Sequence, residues 1–424
     1  VTFGFRDREP LEQQIAAAIK ACRDALAAPR FAGAAESLQG SPDSAQGWFD
    51  LLHGYPVNPD NARTLKRLKA AWPQEAVEAG AALERYAVLQ AMTISARRIL
   101  TEPMAHSVKR LYAELCLEAA QPARQWRRHF NEGLISRERF AFSEDGQRFL
   151  NLSWLATLQR YPAGDFVFDI HPYLTRSVIL KVRPLSLPEF LGEIYFGIGG
   201  WGPMLSPHVH TGRANQLVLQ KKGFERSLWR MAKTVEMRPD MKGLITSSWL
   251  HSAQTAELTP HLSWMRSIFI EGGAYLIDLE SSPEDGAFKT GSARRRRMNE
   301  EGVFYPRDTL VLWRRSDMLS WAARRDDLAD PDDGPVTAPR QSNRKFRAAI
   351  PPPVRSGKHN SPVTLWDGRY LLKYKPKLYV LYVMLLPCLA AALLASLGIA
   401  WWVGAPAFLA AFIFMLIFQY YLFQ

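Results

Sequence analysis

The sequence predicts a mixed α/β domain, preceded by an all-helical region and followed by a C-terminal transmembrane helical hairpin. Three observations carry this. Residues 1–144 place apolar side chains at helical spacing and hold few strand signals. Residues 145–325 alternate short β-branched or aromatic runs with helix-length segments, the pattern of a mixed α/β sheet. Residues 378–424 contain no charged residue, and about 20 apolar residues suffice to span a bilayer.

The helical region reads as four to six helices. LEQQIAAAIKACRDALAA, NARTLKRLKAAW, AVEAGAALERYAVLQAMTISARRIL and SVKRLYAELCLEAAQPARQWRRHF each show the period. Asn61 and Ser107 suit N-caps, and Pro56, Pro73, Pro103 and Pro122 punctuate the run. His106 and His129 belong to no catalytic constellation. The RQWRRHF cluster suits either a phosphate or a solvated helix face.

In the α/β domain, DFVFDIHPYL, SVILKVRPL and LGEIYFGIGG read as three strands. NQLVLQKKGFERSLWRMAKTVEM follows as a helix, with Leu217, Phe224, Leu228, Met231 and Val235 on one face. MKGLITSSWL is a strand. TPHLSWMRSIFI is a helix capped by Thr259, with proline next. GGAYLIDLE and RDTLVLWRR are strands, and SARRRRMNEEG and SDMLSWAARR helices.

Candidate chemistry clusters in the middle of this domain. FGIGGWGPMLSPHVHTGR holds five glycines and an HxH pair, His208 and His210, whose rings point the same way on a strand. They suit a base, a substrate contact or, less directly, a metal. Arg213 stands at the entry to the long helix, the best single phosphate candidate. Ser247 and Ser248 could contact a carbonyl, and His251 could act as an acid. Asp169 and His171 form a possible dyad within DIHPY. Each of these positions also has an ordinary structural reading as a turn former, core residue or surface ion pair.

The element order over roughly 160–325 resembles the GNAT-type acyltransferase fold. That family has antiparallel strands first, then a strand, a long helix, a strand, a helix and two further strands. The resemblance implies a mixed sheet, an acyl thioester donor (acyl-CoA or acyl carrier protein) and an amine or hydroxyl acceptor. It implies an anion at the start of the long helix, where N–H groups and the helix dipole favour one. Gly199, Gly200, Gly202, Thr211, Gly212 and Arg213 are the candidate cofactor-binding positions, although they depart from the family's loop. It also implies a general base on the strand before that helix, here Glu193. The family's Q/R-x-x-G-x-G/A loop is absent: HTGRANQ precedes the helix, with only Gly212.

Two other readings use the same residues. One is a catalytically silent adaptor on the same scaffold, its helical region docking a partner. The other is a metal-dependent oxygenase built on His208 and His210. No metal is expected under the leading reading.

Residues 326–375 read as a linker, first acidic (DDLADPDDGP), then basic and proline-rich. Arg340, Arg344, Lys345, Arg347, Arg355 and Lys358 suit anionic headgroups or a solvated tether. Residues 376–424 form the two-helix anchor, divided near Gly398, with Trp401, Trp402, Tyr420 and Tyr421 at expected interfaces. Arg369, Lys373, Lys375 and Lys377 precede it, which places the bulk of the chain in the cytoplasm. No signal peptide is expected, because VTFGFRDREP lacks an apolar run. Cys22, Cys116 and Cys388 form no CxxC and no disulfide framework. The net charge of +12 favours acidic partners. The lipid bilayer and an acyl carrier or membrane protein are the expected partners. The Arg294–Arg297 run lacks interleaved aromatics, so nucleic acid is not expected.

Overall fold

In a computed structural model of the chain, residues 10–28, 42–55, 57, 81–120, 147–171, 178–179, 182, 186–209, 220–279, 293–305 and 307–338 are described. The N-terminal helices form as their periodicity requires. Helix α1, Leu11–Leu26, starts after Pro10 and buries Leu11, Ile15, Ala18 and Cys22 along one stripe. Helix α2, Ala45–His53, is capped by Ser44, whose hydroxyl accepts from the Gly47 N–H. Helices α3 (Ala81–Arg98), α4 (His106–Ala120) and α5 (Gln147–Ala156) complete the layer. Ala87, Val88, Leu89, Ala91, Met92 and Ala96 bury several sides of α3.

Six strands make one mixed sheet in the order β1-β2-β3-β4-β6-β5. They are β1 Arg160–Pro162, β2 Phe166–His171, β3 Met204–Val209, β4 Gly243–Ser248, β5 Tyr275–Asp278 and β6 Thr309–Arg314. Neighbours are antiparallel except β3 and β4, which run parallel. A parallel pair needs a long crossover, here supplied by the helix Lys221–Met237, which we number α7 after α6 (Leu187–Gly192). Helix α7 buries Phe224, Leu228, Met231 and Val235, the face its sequence marks out.

The sheet has two apolar faces. Leu205, Leu244, Val311 and Trp313 join one continuous core with α1 to α5 and α7. Helices α9 (Trp264–Glu271) and α11 (Arg315–Ala322) pack on the same side; in sequence α8 (Ala253–Leu258) precedes α9, and α10 (Ala293–Glu300) lies between α9 and α11. Met204, Ile245, Tyr275, Ile277, Leu310 and Leu312 line the other face, under Phe190, Ile194 and Ile198.

Those last three residues overturn one expectation. LGEIYFGIGG is not a strand. It runs from α6 into a π-helix, Glu193–Ile198. The run is aromatic and β-branched, but Phe190, Ile194 and Ile198 recur every fourth residue and stay on one buried face. Gly199 and Gly200, at φ +81° and +96°, end the helix in a conformation other residues resist. The strand before the crossover is MLSPHV instead. SVILKVRPL also departs: residues 178–179 form a helical turn, and Val182 makes a single bridge to Leu279. In TPHLSWMRSIFI the Thr259 side chain caps nothing; its hydroxyl donates to the Thr255 carbonyl. A short 3-10 turn, Pro260–Leu262, comes before α9. Strand β1 and helix α8 were not anticipated.

Residues 326–338, acidic enough to suggest a tether, are packed. Leu328 and Val336 join the core. Asp330 pairs with Arg230 at 2.7 Å. Asp333 accepts from the His106 and Ser107 N–H groups and so caps α4. Among the described residues no helix is long and apolar enough to cross a membrane. The expected basic linker from residue 339 and the hairpin at 376–424 lie outside the described residues.

Candidate functional site

The sheet opens at its centre. Strand β3 pairs with β2 at all six residues, Met204 to Val209. Strand β4 pairs with β6 at all six, Gly243 to Ser248. Between themselves β3 and β4 share one register pair, Leu205 with Leu244. A Lys242 N–H bond to the Pro203 carbonyl, 2.8 Å, holds the strands together just before it. From Ser206 and Ile245 onward the two strands have no partners on each other.

Two residues encode this parting. Pro207 cannot donate a ladder hydrogen bond, and proline in sheets is confined to edges; here it falls in the stretch of β3 that has no partner on the β4 side. Gly243 has φ +140°, and a Cβ there would lie 2.0 Å from the Trp313 carbonyl oxygen. Only glycine lets β4 press onto β6 as it leaves β3.

On the sheet face opposite α7, alternation and register bring polar side chains together. Arg160 stands opposite Asp169, Asp169 opposite Ser206, and Val167 opposite His208. The side chains of Arg160, Asp169, His171, Ser206 and His208 therefore share a face. The Asp169 carboxylate is buried and gripped by Arg160, at 2.5 Å from Nε and 2.7 Å from Nη2. Arg160 is fixed in turn by Asn151 Oδ1, 2.6 Å from Nη1, and lies over the Trp154 ring at 4.8 Å. His208 Nε2 is 2.7 Å from Asp169 Oδ2, and its side chain is 42% exposed. Burial pushes the Asp169 carboxyl up, but the hydrogen bonds from Arg160 and His208 outweigh it and hold the group below its ordinary value. His171 is lowered, chiefly by burial, against the pull of Asp169.

This arrangement selects a tautomer. A carboxylate that stays ionised takes the Nε2 proton of His208 as a hydrogen bond. The other ring nitrogen, Nδ1, then carries the free lone pair, and no described residue bonds to it. A solvent-facing imidazole oriented by a buried carboxylate can accept a proton from a bound nucleophile.

Other anticipated residues are employed elsewhere. Glu193 sits on the π-helix, and both of its oxygens are held by Arg314, Oε1 at 2.5 Å from Nε and Oε2 on Nη2. Gly197 packs so tightly here that a Cβ would meet Glu193 Oε1 at 2.3 Å. Both carboxylate oxygens are thus already engaged by one guanidinium. His251 is buried on the turn after β4, and burial followed by the Arg266 charge takes its pKa down to about 3. Ser248 caps that turn, its hydroxyl accepting from the Leu250 N–H at 3.2 Å. Ser247 is exposed on the parted segment of β4.

The glycines do not form a phosphate cradle with the crossover helix. Gly199, Gly200 and Gly202 precede β3, whereas α7 follows it, so a strand of about 20 Å separates them. Gly200 donates its N–H to Ile194, ending the π-helix, and Gly202 gives room to the Lys242 stem. His210, Thr211, Gly212 and Arg213 lie outside the described residues. Helix α7 is described from Lys221, not Asn215. At its first turn a Cβ on Gly223 would lie 2.0 Å from Asp165 Oδ2, so a carboxylate already occupies that space.

Asp169, His171 and His208 also place one ligand atom each within 4.8 Å of the others. One carboxylate and two imidazoles suit a divalent cation. The Arg160 guanidinium already compensates the carboxylate, which disfavours a second cation on the same oxygens. No protein-family model matches the chain, and neither curated proteins nor solved structures yield a match.

Proposed function

We propose that the chain is an acyltransferase, moving an acyl group from a thioester donor to an amine or hydroxyl. The supporting observation is the single register pair, Leu205 with Leu244, between two strands that keep their outer partners throughout. The reading draws further support from the mixed sheet, with its one parallel pair joined by a crossover helix, which is compatible with a GNAT-type resemblance. The amide-bearing arm of a thioester donor would enter the parting like an extra strand. Its amides would satisfy the free edges of β3 and β4, as in strand addition.

In this reading His208 Nδ1 takes the proton from the acceptor as its nitrogen or oxygen attacks the thioester carbonyl. The carbon–sulfur bond then breaks, the thiolate leaves, and the proton passes to it or to solvent. Asp169 positions the ring and stabilises the imidazolium. N–H groups on the free edges polarise the carbonyl. Glu193 takes no part. The uncharged run 378–424 holds the protein at a membrane with its bulk on the cytoplasmic side, close to lipid-like acyl chains or acceptors.

The test uses the full chain in nanodiscs, with acyl-pantetheine donors of graded length and a panel of amines. Thiol release that needs both donor and acceptor, and that falls at least a hundredfold in His208→Ala, supports the proposal. No thioester binding, together with stable capture of a defined membrane protein, favours a silent adaptor. Stoichiometric iron or zinc in the purified chain, lost in both His171→Ala and His208→Ala, favours the metal reading that the Asp169 cluster allows.

A further inference from the structure

The end of the sheet at which β3 and β4 part carries an unusual basic element. Helix α10 reads ARRRRMNE. It is fastened beside the end of β4. Arg295 lies over the Trp249 ring at 4.8 Å, and Trp249 directly follows Ser248. Phe304, past the end of α10, meets Trp249 edge to face at 6.4 Å. Gln254 of α8 donates to the Val303 carbonyl at 3.2 Å and accepts from the Tyr305 N–H at 3.0 Å.

Arg294, Arg296 and Arg297 are exposed, and none has an acidic partner among the described residues. Val303 and Tyr305 are exposed next to them. Arginines that have no acidic partner among the described residues, beside a tyrosine and an aliphatic side chain, have the make-up of a protein-binding surface. By contrast, the tip of α7, where a free nucleotide-type phosphate would be drawn, already has the Asp165 carboxylate against Gly223.

We propose that the donor is presented by an acidic carrier protein that docks on α10, and not by a free phosphate-bearing cofactor held at the tip of α7. This rests on the acyl-transfer reading above. The carrier's acidic helix would lie on Arg294, Arg296 and Arg297, and its pantetheine arm would pass Trp249 into the parting between β3 and β4. Such docking is salt-sensitive, since exposed charge pairs are screened within about 10 Å at 0.1 M. Arg295 anchors α10 and is left intact in the test.

The experiment compares the full chain in nanodiscs with Arg294→Glu/Arg296→Glu/Arg297→Glu, after a circular-dichroism melt shows that the variant folds. The probes are an acyl carrier protein bearing a fatty acyl thioester, the same acyl group on CoA, and vesicles of neutral or anionic lipid. The expected result is carrier binding that weakens at least tenfold in the variant and weakens with salt, with acyl-CoA bound less tightly than the carrier thioester. Acyl-CoA bound more tightly than the carrier, or carrier binding unchanged in the variant, overturns the proposal while leaving acyl transfer standing. Anionic vesicles bound through these arginines, with no carrier binding, assign the surface to the membrane instead. If neither thioester is bound, the acyl-transfer reading fails with it.

Discussion

His208 Nε2 stands 2.7 Å from Asp169 Oδ2, across neighbouring antiparallel strands. The aspartate is nearly inaccessible and the histidine faces solvent. This pairing gives the site a proton acceptor with a fixed tautomer, and the first prediction tests it. His208→Ala should cut turnover about 10²- to 10⁴-fold, the usual worth of a positioned acid–base group, with little change in thermal midpoint. Steady-state thiol release and a melt on the same sample check both halves. Turnover within threefold of the parent would remove His208 from the chemistry.

Asp169 does two jobs, so its replacement should show in stability as well. Asp169→Asn leaves the buried Arg160 guanidinium without its carboxylate. Breaking a buried pair by one partner costs about 3–5 kcal/mol. Urea unfolding should show a loss of that order, whereas His208→Ala should not.

Glu193 separates the structural account from the one its sequence position suggests. Glu193→Gln weakens the clasp with Arg314 and should lower stability by a few kcal/mol. Its turnover should stay within about threefold of the parent once folded. Gly197→Ala should destabilise too, because the new methyl meets the Glu193 carboxylate. A loss of a hundredfold or more in Glu193→Gln, with the melt preserved, would restore the glutamate as the base.

His251 predicts an acid-side instability. Its native pKa is about 3, against about 6.5 for an unfolded histidine. Between those values the unfolded chain binds the proton and the native chain does not. Stability should therefore fall as pH drops from about 6.5 toward 3, by up to ~1.4 kcal/mol per unit from this residue. Its Nδ1 makes no hydrogen bond, so His251→Phe should fold and show a shallower loss across that window. Denaturation at stepped pH measures the slope.

Much of this fold was legible in the chain. The stripe Phe224, Leu228, Met231 and Val235 fixes α7, and the β-branched and aromatic runs fix β2, β4, β5 and β6. Local composition misled at Glu193–Ile198, where a strand-like run is folded by burial at every fourth residue. It misled again at Leu328 and Val336, two apolar residues within acidic sequence that reach the core. The site was half visible. His208 stood out, and Asp169 was noted, but as a partner for His171, two residues along the same strand. Its true partners, Arg160 and His208, are set by strand register, which one sequence does not reveal. Pro207 was the available signal that β3 loses a neighbour.

Acyl transfer at this site requires that the facing edges of β3 and β4 beyond Leu205 and Leu244 be open to an extended donor. Amide hydrogen exchange on the full chain, with and without a non-transferable acyl-pantetheine thioether, measures this directly. Fast exchange is expected at those amides among residues 206, 208, 209 and 245–248 that alternation turns toward the parting, slowed at least tenfold when the thioether binds. Exchange already as slow as in β6 without ligand, or unchanged when the thioether is bound, would contradict it.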